Sequence, residues 1–438
     1  MTQTTGELFH DGTCLELLRD PESGGATLIF YDGEKSTIAP WIKTHDRIYT
    51  PPDMDSSILR AVTLPSSCSQ FGSTRELFTE IFTLISRTTR QANNVVAELA
   101  FFVFATWCAD RLPLAPLLWI VAPPTTSSGP LLQLLGLLCR RALLVTEPNL
   151  AALRSAALQM KPTILTEVAI ATRAFTRTIR ASNRRGTYMV AGEKVLDLSC
   201  ARVVFAAEPL REPASAGFPL EIAMAPTRDY VPVMEMAEAE RIAEDLQAKL
   251  LMYRLKNGNK VAPPNLNLGE LTAPMQEIAH TLAACIVGDE DLQAQIVPLL
   301  RPRDREIEVD RAAMLEAIVL EALLAACHEK LPGALPIVGL TQRVNTILAG
   351  RGETSEVSPE KVGWKLRALG LHTESVTGGR KGIALHSETR AMIHRLAAAY
   401  GVRTLREHPV NNCPHCAELE MPRNRGTDES SEPACTPA

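Results

Sequence analysis

The sequence predicts an α/β protein built on a parallel sheet, with a helical region after the sheet and a small helix-and-hairpin unit near the C-terminus. Three observations carry this expectation. Between residues 116 and 168 the pattern runs apolar run, polar or Pro-containing loop, apolar helix, twice over, and ends in a third apolar run, Thr163-Ile-Leu-Thr-Glu167. Runs of four to six apolar residues bounded by turn formers are buried strands. Residues 201–206 (Ala-Arg-Val-Val-Phe-Ala) and 220–224 supply two more runs of this kind. Strands that alternate with helices pair in parallel through right-handed crossovers.

Bulk properties narrow the function classes. At 438 residues the chain has room for two or three domains, and 46% hydrophobic with 22% charged residues is ordinary globular composition. A net charge of −5 excludes a globally basic, nucleic-acid-coating protein, so any DNA contact must come from local patches. Ten cysteines are scattered without a disulfide-like spacing, and no basic-then-apolar segment opens the chain. A reducing, cytoplasmic setting is expected. The longest apolar run, residues 99–108, is too short for a bilayer and is followed by Asp110 and Arg111, so no membrane contact is expected.

Taken in order, residues 1–68 alternate turn signals with short apolar runs, of which 26–31 (Ala-Thr-Leu-Ile-Phe-Tyr) lies between Gly24-Gly25 and Asp32-Gly33. A small β-rich module is expected there. His10 and His45 stand alone and read as surface or packing residues. Residues 73–110 read as two helices, the first opened by Ser73-Thr-Arg-Glu76, a capping-box pattern. The core proper spans 69–234, with strands at 117–121, 142–145 and 163–167 and helices at 131–141 and 148–160. In such sheets ligands bind at the carboxyl ends of the strands, here the loops 122–129 and 166–170.

A phosphate-gripping loop has the pattern G-x-x-x-x-G-K-[ST] between a strand and a helix. Here the loop reads Ala122-Pro-Pro-Thr-Thr-Ser127-Ser128-Gly129. Ala122 takes the first Gly, Ser127 the second, Ser128 the Lys and Gly129 the Ser/Thr, so each position that carries chemistry differs. Thr166 stands where a Mg²⁺-linked Asp belongs, and Glu167 keeps the place of a water-polarising Glu. Between Ser69 and Val402 the layout resembles the RecA/AAA+-like P-loop ATPase modules of phages, plasmids and other mobile elements, which join an ATPase core to a C-terminal winged helix. The resemblance implies a P-loop-like parallel sheet, a helical lid over residues 235–331 and work on DNA. It also implies a polar sensor at Glu208 and an arginine within 212–217 that this chain lacks. The degenerate nucleotide set is then Ser127, Ser128, Gly129 and Thr166, with Glu167 catalytic only if the site is active.

Helices in the lid region are expected at 237–255, 274–286, 289–300 and 310–328. Arg173, Arg177, Arg180 and Arg184 stand at i, i+4, i+7 and i+11, one stripe of a helix over 173–185. Four like charges on one stripe repel unless something anionic faces them, which makes the stripe a candidate phosphate contact, or a face solvated or paired with acids. Residues 332–407 read as a winged helix: a helix at 335–348, a second opened by Ser358-Pro-Glu360, strands at 371–376 and 380–385, and a closing helix at 388–400. Between Leu335 and Glu407 eleven Lys/Arg stand against six Asp/Glu. Lys361, Lys365 and Arg367 would present from the second helix to DNA, and Arg380 and Lys381 from the wing.

Residues 408–438 read as a disordered tail. Cys413-Pro-His-Cys416 is a C-x-x-C pair with no second pair at metal-ligand spacing; a zinc site would need His408 or His415 plus a distant group, and no metal is expected. The expected function is a DNA-associated pseudo-ATPase without a cofactor, accessory to mobile-element replication, with double-stranded DNA, replication proteins or further copies of itself as partners. The alternatives are a live ATPase or helicase-like motor using ATP and Mg²⁺, and a protein-interaction or assembly module.

Overall fold

In the computed structural model the chain divides into two units, Met1–Asp304 and Arg305–Ala438. The structure describes residues 1–123, 126–146, 160–169, 171–181, 183–191, 194–210, 219–226, 231–269, 271–329, 333–376, 380–402 and 413–420. The helix expected at 148–160 falls almost wholly outside them.

The first unit opens with seven short strands: β1 (Thr2–Gln3), β2 (Gly6–Leu8), β3 (Cys14–Arg19), β4 (Ala26–Tyr31), β5 (Ser36–Ala39), β6 (Ile42–Thr44) and β7 (Arg47–Thr50). They form one antiparallel sheet in the order β2-β3-β4-β5 and a mixed one in the order β1-β7-β6, in which β1 runs parallel to β7. The turn from β4 to β5 is closed by Asp32, whose carboxylate accepts from the Glu34 and Lys35 amides at 2.8 and 2.7 Å. Leu15, Leu17 and Leu28 of these sheets pack with Ile42, Tyr49, Leu59, Val62 and Leu64. A short helix, α1 (Ser56–Ala61), follows.

Helix α2 (Thr74–Thr89) begins at the capping box the sequence announces: the Ser73 hydroxyl accepts from the Glu76 amide while the Glu76 carboxylate accepts from the Ser73 amide. Helix α3 (Asn93–Trp107) is apolar on every face apart from Glu98 and its first two residues, and is buried along nearly its whole length. That is the expected fate of a helix with no polar face.

The sheet that follows contains β8 (Leu117–Val121), β9 (Leu143–Thr146), β10 (Ile164–Val168), a strand at Arg202–Ala206 and a strand at Leu220–Ala223; helix α4 (Gly129–Leu138) connects β8 to β9, and helix α5 (Arg173–Ala181) follows β10. A hairpin the sequence reading did not anticipate, β11 (Tyr188–Ala191) with β12 (Lys194–Asp197), precedes the fourth strand, so the last two core strands are β13 and β14. All five pair in parallel in the order β14-β8-β13-β10-β9. The register aligns Val121 with both Ala206 and Ala223, and Val168 with Ala206, so the carboxyl ends are flush and their loops share one edge.

Beyond the sheet come α6 (Met236–Asn257), α7 (Ala273–Ala283), α8 (Glu290–Ala294) and α9 (Ile296–Ala313). The expected helix pair 289–300 and 310–328 is redrawn here. Helix α9 continues through Pro302, and the break comes instead at Met314, whose extended backbone starts α10 (Leu315–His328). Pro302 removes one N–H from a helix that other contacts hold.

A buried charge cluster holds the first unit together. Glu16 of β3 accepts from Arg140 at 2.7 Å, from Arg254 of α6 at 2.5 Å and from Arg141. Arg254 also donates to both carboxylate oxygens of Asp110, at 2.7 and 2.6 Å, and to the Trp107 carbonyl. Arg141 reaches the Met160 and Thr5 carbonyls as well. The N-terminal sheet, the end of α3, the end of α4 and α6 are thus fastened at one point.

The second unit contains α10, β15 (Ala334–Pro336), α11 (Ile337–Gly350), α12 (Pro359–Ala368), β16 (Glu374–Val376), β17 (Arg380–Ala384), α13 (Ser387–Ala399) and α14 (Pro414–Glu420). Its three strands form an antiparallel sheet in the order β15-β17-β16. The helix expected from Leu335 starts two residues later, because Pro336 is extended and caps α11 while 334–336 pair with β17. Leu320, Leu324, Leu340, Val344, Val362, Leu366, Ile383 and Ile393 form one core.

Candidate functional site

The flush strand ends place the loop after β8 beside the end of β10. There the Ser128 hydroxyl donates to Glu167 Oε2 at 2.6 Å. Ser128 is the residue before α4 and would ordinarily cap it, but its side chain makes no cap bond to the helix. Its hydroxyl is committed to the carboxylate instead. Pro130 in the first turn removes one of the amides that a helix start offers to anions. Ser127 is exposed, and a Cβ on Gly129 would meet Val233 at 3.5 Å. Thr166 points into the sheet side: it is 2% exposed, and its hydroxyl oxygen finds no hydrogen-bond partner among the described residues.

Val233 and Met234 lie at this helix start, and glutamine side chains hold Met234 and Ala225. Gln133 of α4 donates to the Met234 carbonyl at 3.0 Å and accepts from the Met234 amide at 2.7 Å. Gln91 grips Ala225 in the same two-point way, at 3.0 and 2.9 Å. Neither residues 122–129 nor 166–172 contain a Lys or Arg. Among the described residues, these two loops offer an acid, hydroxyls and a helix start with a proline in its first turn. A groove of about 580 Å³ lies elsewhere, between α2 and α6, lined by charged residues including Arg75, Glu80, Arg87 and Asp245.

The arginine stripe is shorter than its spacing suggests. Helix α5 carries Arg173, Arg177 and Arg180, but it ends at Ala181. Arg184 lies beyond it, in a bridge with Leu114. The cause is backbone pairing: the Ala115 amide donates to the Asn183 carbonyl at 2.7 Å, and the Arg185 amide to the Pro113 carbonyl at 3.0 Å. Those bonds demand an extended chain where helical periodicity would continue. Arg173 and Arg177 are exposed and Arg180 is half-buried.

In the second unit α12 turns Val362 and Leu366 into the core and leaves Lys361, Trp364 and Arg367 exposed. Trp364 is 67% exposed, a large aromatic surface flanked by cations. Lys365 is committed elsewhere: its ammonium donates to Glu316 at 2.6 Å. Lys381 is exposed on β17, and Arg380 opens that strand; the tip at 377–379 lies outside the described residues.

Of the C-terminal candidates, His408 lies outside the described residues, and Cys413 and Cys416 stand with two histidines that spacing did not single out, His328 and His394. Those two sit 66 residues apart on different helices. A histidine at the end of an apolar helix and another amid a helix core face were the only sequence signals, and neither is specific. Among the described residues, no helix is long and apolar enough to cross a membrane.

The geometry defines an α/β protein with a five-stranded parallel sheet whose loops 122–129 and 166–172 carry no Lys or Arg. No protein-family model matches the chain, and no curated protein matches it. Among solved structures, two of the NrS-1 C-terminal region in its A-form apo state align at 10% identity, one over 85% of this chain and 97% of that chain with a TM-score of 0.36, the other over 85% and 96% with a TM-score of 0.34. The structure of Drosophila ORC bound to DNA aligns at 14% identity over 82% of this chain and 95% of that chain, with a TM-score of 0.18. Scores this low leave function to be argued from this chain's own residues.

Proposed function

We propose that this protein is a DNA-associated accessory protein built on an ATPase-like scaffold that does not hydrolyse ATP, and that it contacts double-stranded DNA through a winged-helix arrangement in its second unit. The observation that carries the first half is the Ser128–Glu167 hydrogen bond. A neutral hydroxyl stands in the place of the phosphate-neutralising Lys and is bonded to Glu167, the acid in the place of the water-polarising Glu. Loss of a single preorganised charge partner commonly costs ~10²–10³ in rate, and here several are replaced together.

The DNA half is supported by the exposed set Lys361, Trp364, Arg367 and Lys381 on a unit that combines α11, α12 and α13 with a three-stranded antiparallel sheet. Arg173 and Arg177 of α5 are further candidate phosphate contacts. A winged helix reads DNA with its second or third helix and touches the backbone with its hairpin.

Fluorescence anisotropy with a labelled duplex, titrated at several salt concentrations, tests the reading. Binding should weaken linearly on a log–log salt plot, with a slope of about −0.9 per phosphate neutralised. Lys361→Ala and Lys381→Ala should each flatten that slope by about one unit. Salt-insensitive or absent binding would remove the DNA half. ATP with Mg²⁺ should leave both the melting temperature and the phosphate-release baseline unmoved; turnover that disappears in Glu167→Gln would instead establish a live ATPase.

A further inference from the structure

We infer that the second unit holds a structural zinc ion between His328, His394, Cys413 and Cys416. The ligand atoms of these four side chains lie within 4.8 Å of one another. His328 Nε2 is 3.2 Å from His394 Nε2 and 3.2 Å from Cys416 Sγ, and His394 Nε2 is 3.3 Å from Cys413 Sγ. Zinc bonds of 2.0–2.3 Å at tetrahedral angles place ligand atoms about 3.3–3.8 Å apart. The cluster has that size and the right membership, two sulfurs and two imidazole nitrogens. A tetrahedral set of this softness selects zinc over magnesium or calcium, which take oxygen.

A second observation comes from the ring orientation. His394 Nδ1 lies 2.7 Å from the Arg390 carbonyl oxygen, which can only accept. Nδ1 therefore carries the proton, and Nε2 presents a bare lone pair to the cluster. That lone pair faces another imidazole nitrogen and a sulfur at once, an arrangement that pure hydrogen bonding serves poorly and a central cation serves well. A backbone carbonyl holding the far nitrogen of a histidine ligand is the usual outer support of a zinc site.

The environment suits a closed structural site rather than a catalytic one. His394 is 1% exposed and Cys416 4%, with His328 and Cys413 half-buried. The ligands come from the last residue of α10, the middle of α13 and the start of α14. On binding, each thiol loses its proton to solvent, so two protons are released and Zn²⁺ with two thiolates and two neutral imidazoles is electrically neutral. The ion would fasten residues 413–420 to the helices that build the core of this unit.

The test uses the full chain, purified with a reductant and without chelators, and zinc measured by elemental mass spectrometry. About one zinc per chain is expected. Cys413→Ser, Cys416→Ser, His328→Asn and His394→Asn should each lose most of it, while Cys68→Ser in the first unit keeps it. Should a variant fail to fold, the wild-type chain decides alone: stripped with chelator and reloaded with Co²⁺, it should show the strong visible bands of tetrahedral cobalt and near-ultraviolet thiolate charge transfer. In Cys413→Ser the charge-transfer band should fall by about half. Zinc below about a tenth per chain together with no cobalt bands overturns the inference. So does an intact mass two hydrogens lighter under non-reducing conditions with no cobalt bands, which would make Cys413 and Cys416 a redox pair. None of these outcomes depends on DNA or ATP binding.

Discussion

Glu16 faces three guanidiniums, and its surroundings show how one residue can decide whether a unit holds together. Burial alone would raise its carboxyl, but Arg140, Arg141 and Arg254 outweigh that and hold it at about 2. Asp110 is half-buried and is pulled well below the carboxylate range by Arg254 and Arg140. Both folded values lie below the unfolded ones, so their stabilisation is present above about pH 4.5 and is lost as pH falls toward 2. Glu16→Leu would leave Arg141 buried without its acid and Arg140 with only Asp110, at 3.8 Å; unfolding in urea at pH 7 should show a loss of roughly 3–5 kcal/mol, and a loss under about 1 kcal/mol would mean that water reaches the cluster. Glu98 behaves in the opposite sense. Burial in α3 raises its carboxyl to about 8, with Arg303 only partly offsetting. The unfolded chain ionises there first, so stability falls as pH climbs from about 4.5 to 8. Glu98→Gln should raise the urea midpoint at pH 8 and leave it nearly unchanged at pH 4.5.

Among the elements, α2 and α4 start in contrasting ways. Ser73 and Glu76 satisfy each other's amides, and Gly72 before them sits at φ +71°, where an added Cβ would also strike the Glu76 carboxylate. Ser73→Ala should cost about 1 kcal/mol by thermal or urea unfolding. Helix α4 forgoes its cap so that Ser128 can reach Glu167, and leans on Gln133 to hold residues 231–235 across its start. Gln133→Ala should speed hydrogen exchange at the Met234 amide by tenfold or more while leaving exchange in α3 unchanged, about the effect of losing 1.4 kcal/mol of local closure. Equal exchange in both proteins would show that packing of Val233, not the amide, holds the strap. The elements also show where periodicity misleads: α5 ends at Ala181 although the arginine spacing continues to Arg184, because residues 183–185 pair with 113–115.

At the scale of the whole molecule, two units carry two different kinds of partner chemistry. The first has a parallel sheet with an acid and hydroxyls at its strand ends; the second has an exposed cationic and aromatic helix face and a four-ligand cluster. Because zinc ligands exist together only in the folded state, metal binding adds directly to folding stability. Chelator should therefore lower the melting temperature of the wild-type chain, and it should leave the Cys413→Ser chain unmoved; a wild-type transition indifferent to chelator would show that the ion is not structural. The proposed DNA contact belongs to the same scale, since a salt slope would count phosphates met by the assembled surface and not by any one side chain.

The sheet was legible in the amino-acid order because its signals are local: apolar runs of strand length, breakers between them and a capping box at Ser73. The apolar stripe of Val362, Leu366 and Leu369 was legible for the same reason. Tertiary structure alone decided what those side chains meet. It paired Ser128 with Glu167, drew Lys365 onto Glu316, and converged Glu16 with arginines 124, 125 and 238 residues away. It also brought His328 and His394 to Cys413 and Cys416, across 88 residues at the longest. Periodicity reports which face of an element is apolar, whereas a charge pair or a metal shell depends on which elements the packing places side by side, and no short-range pattern encodes that.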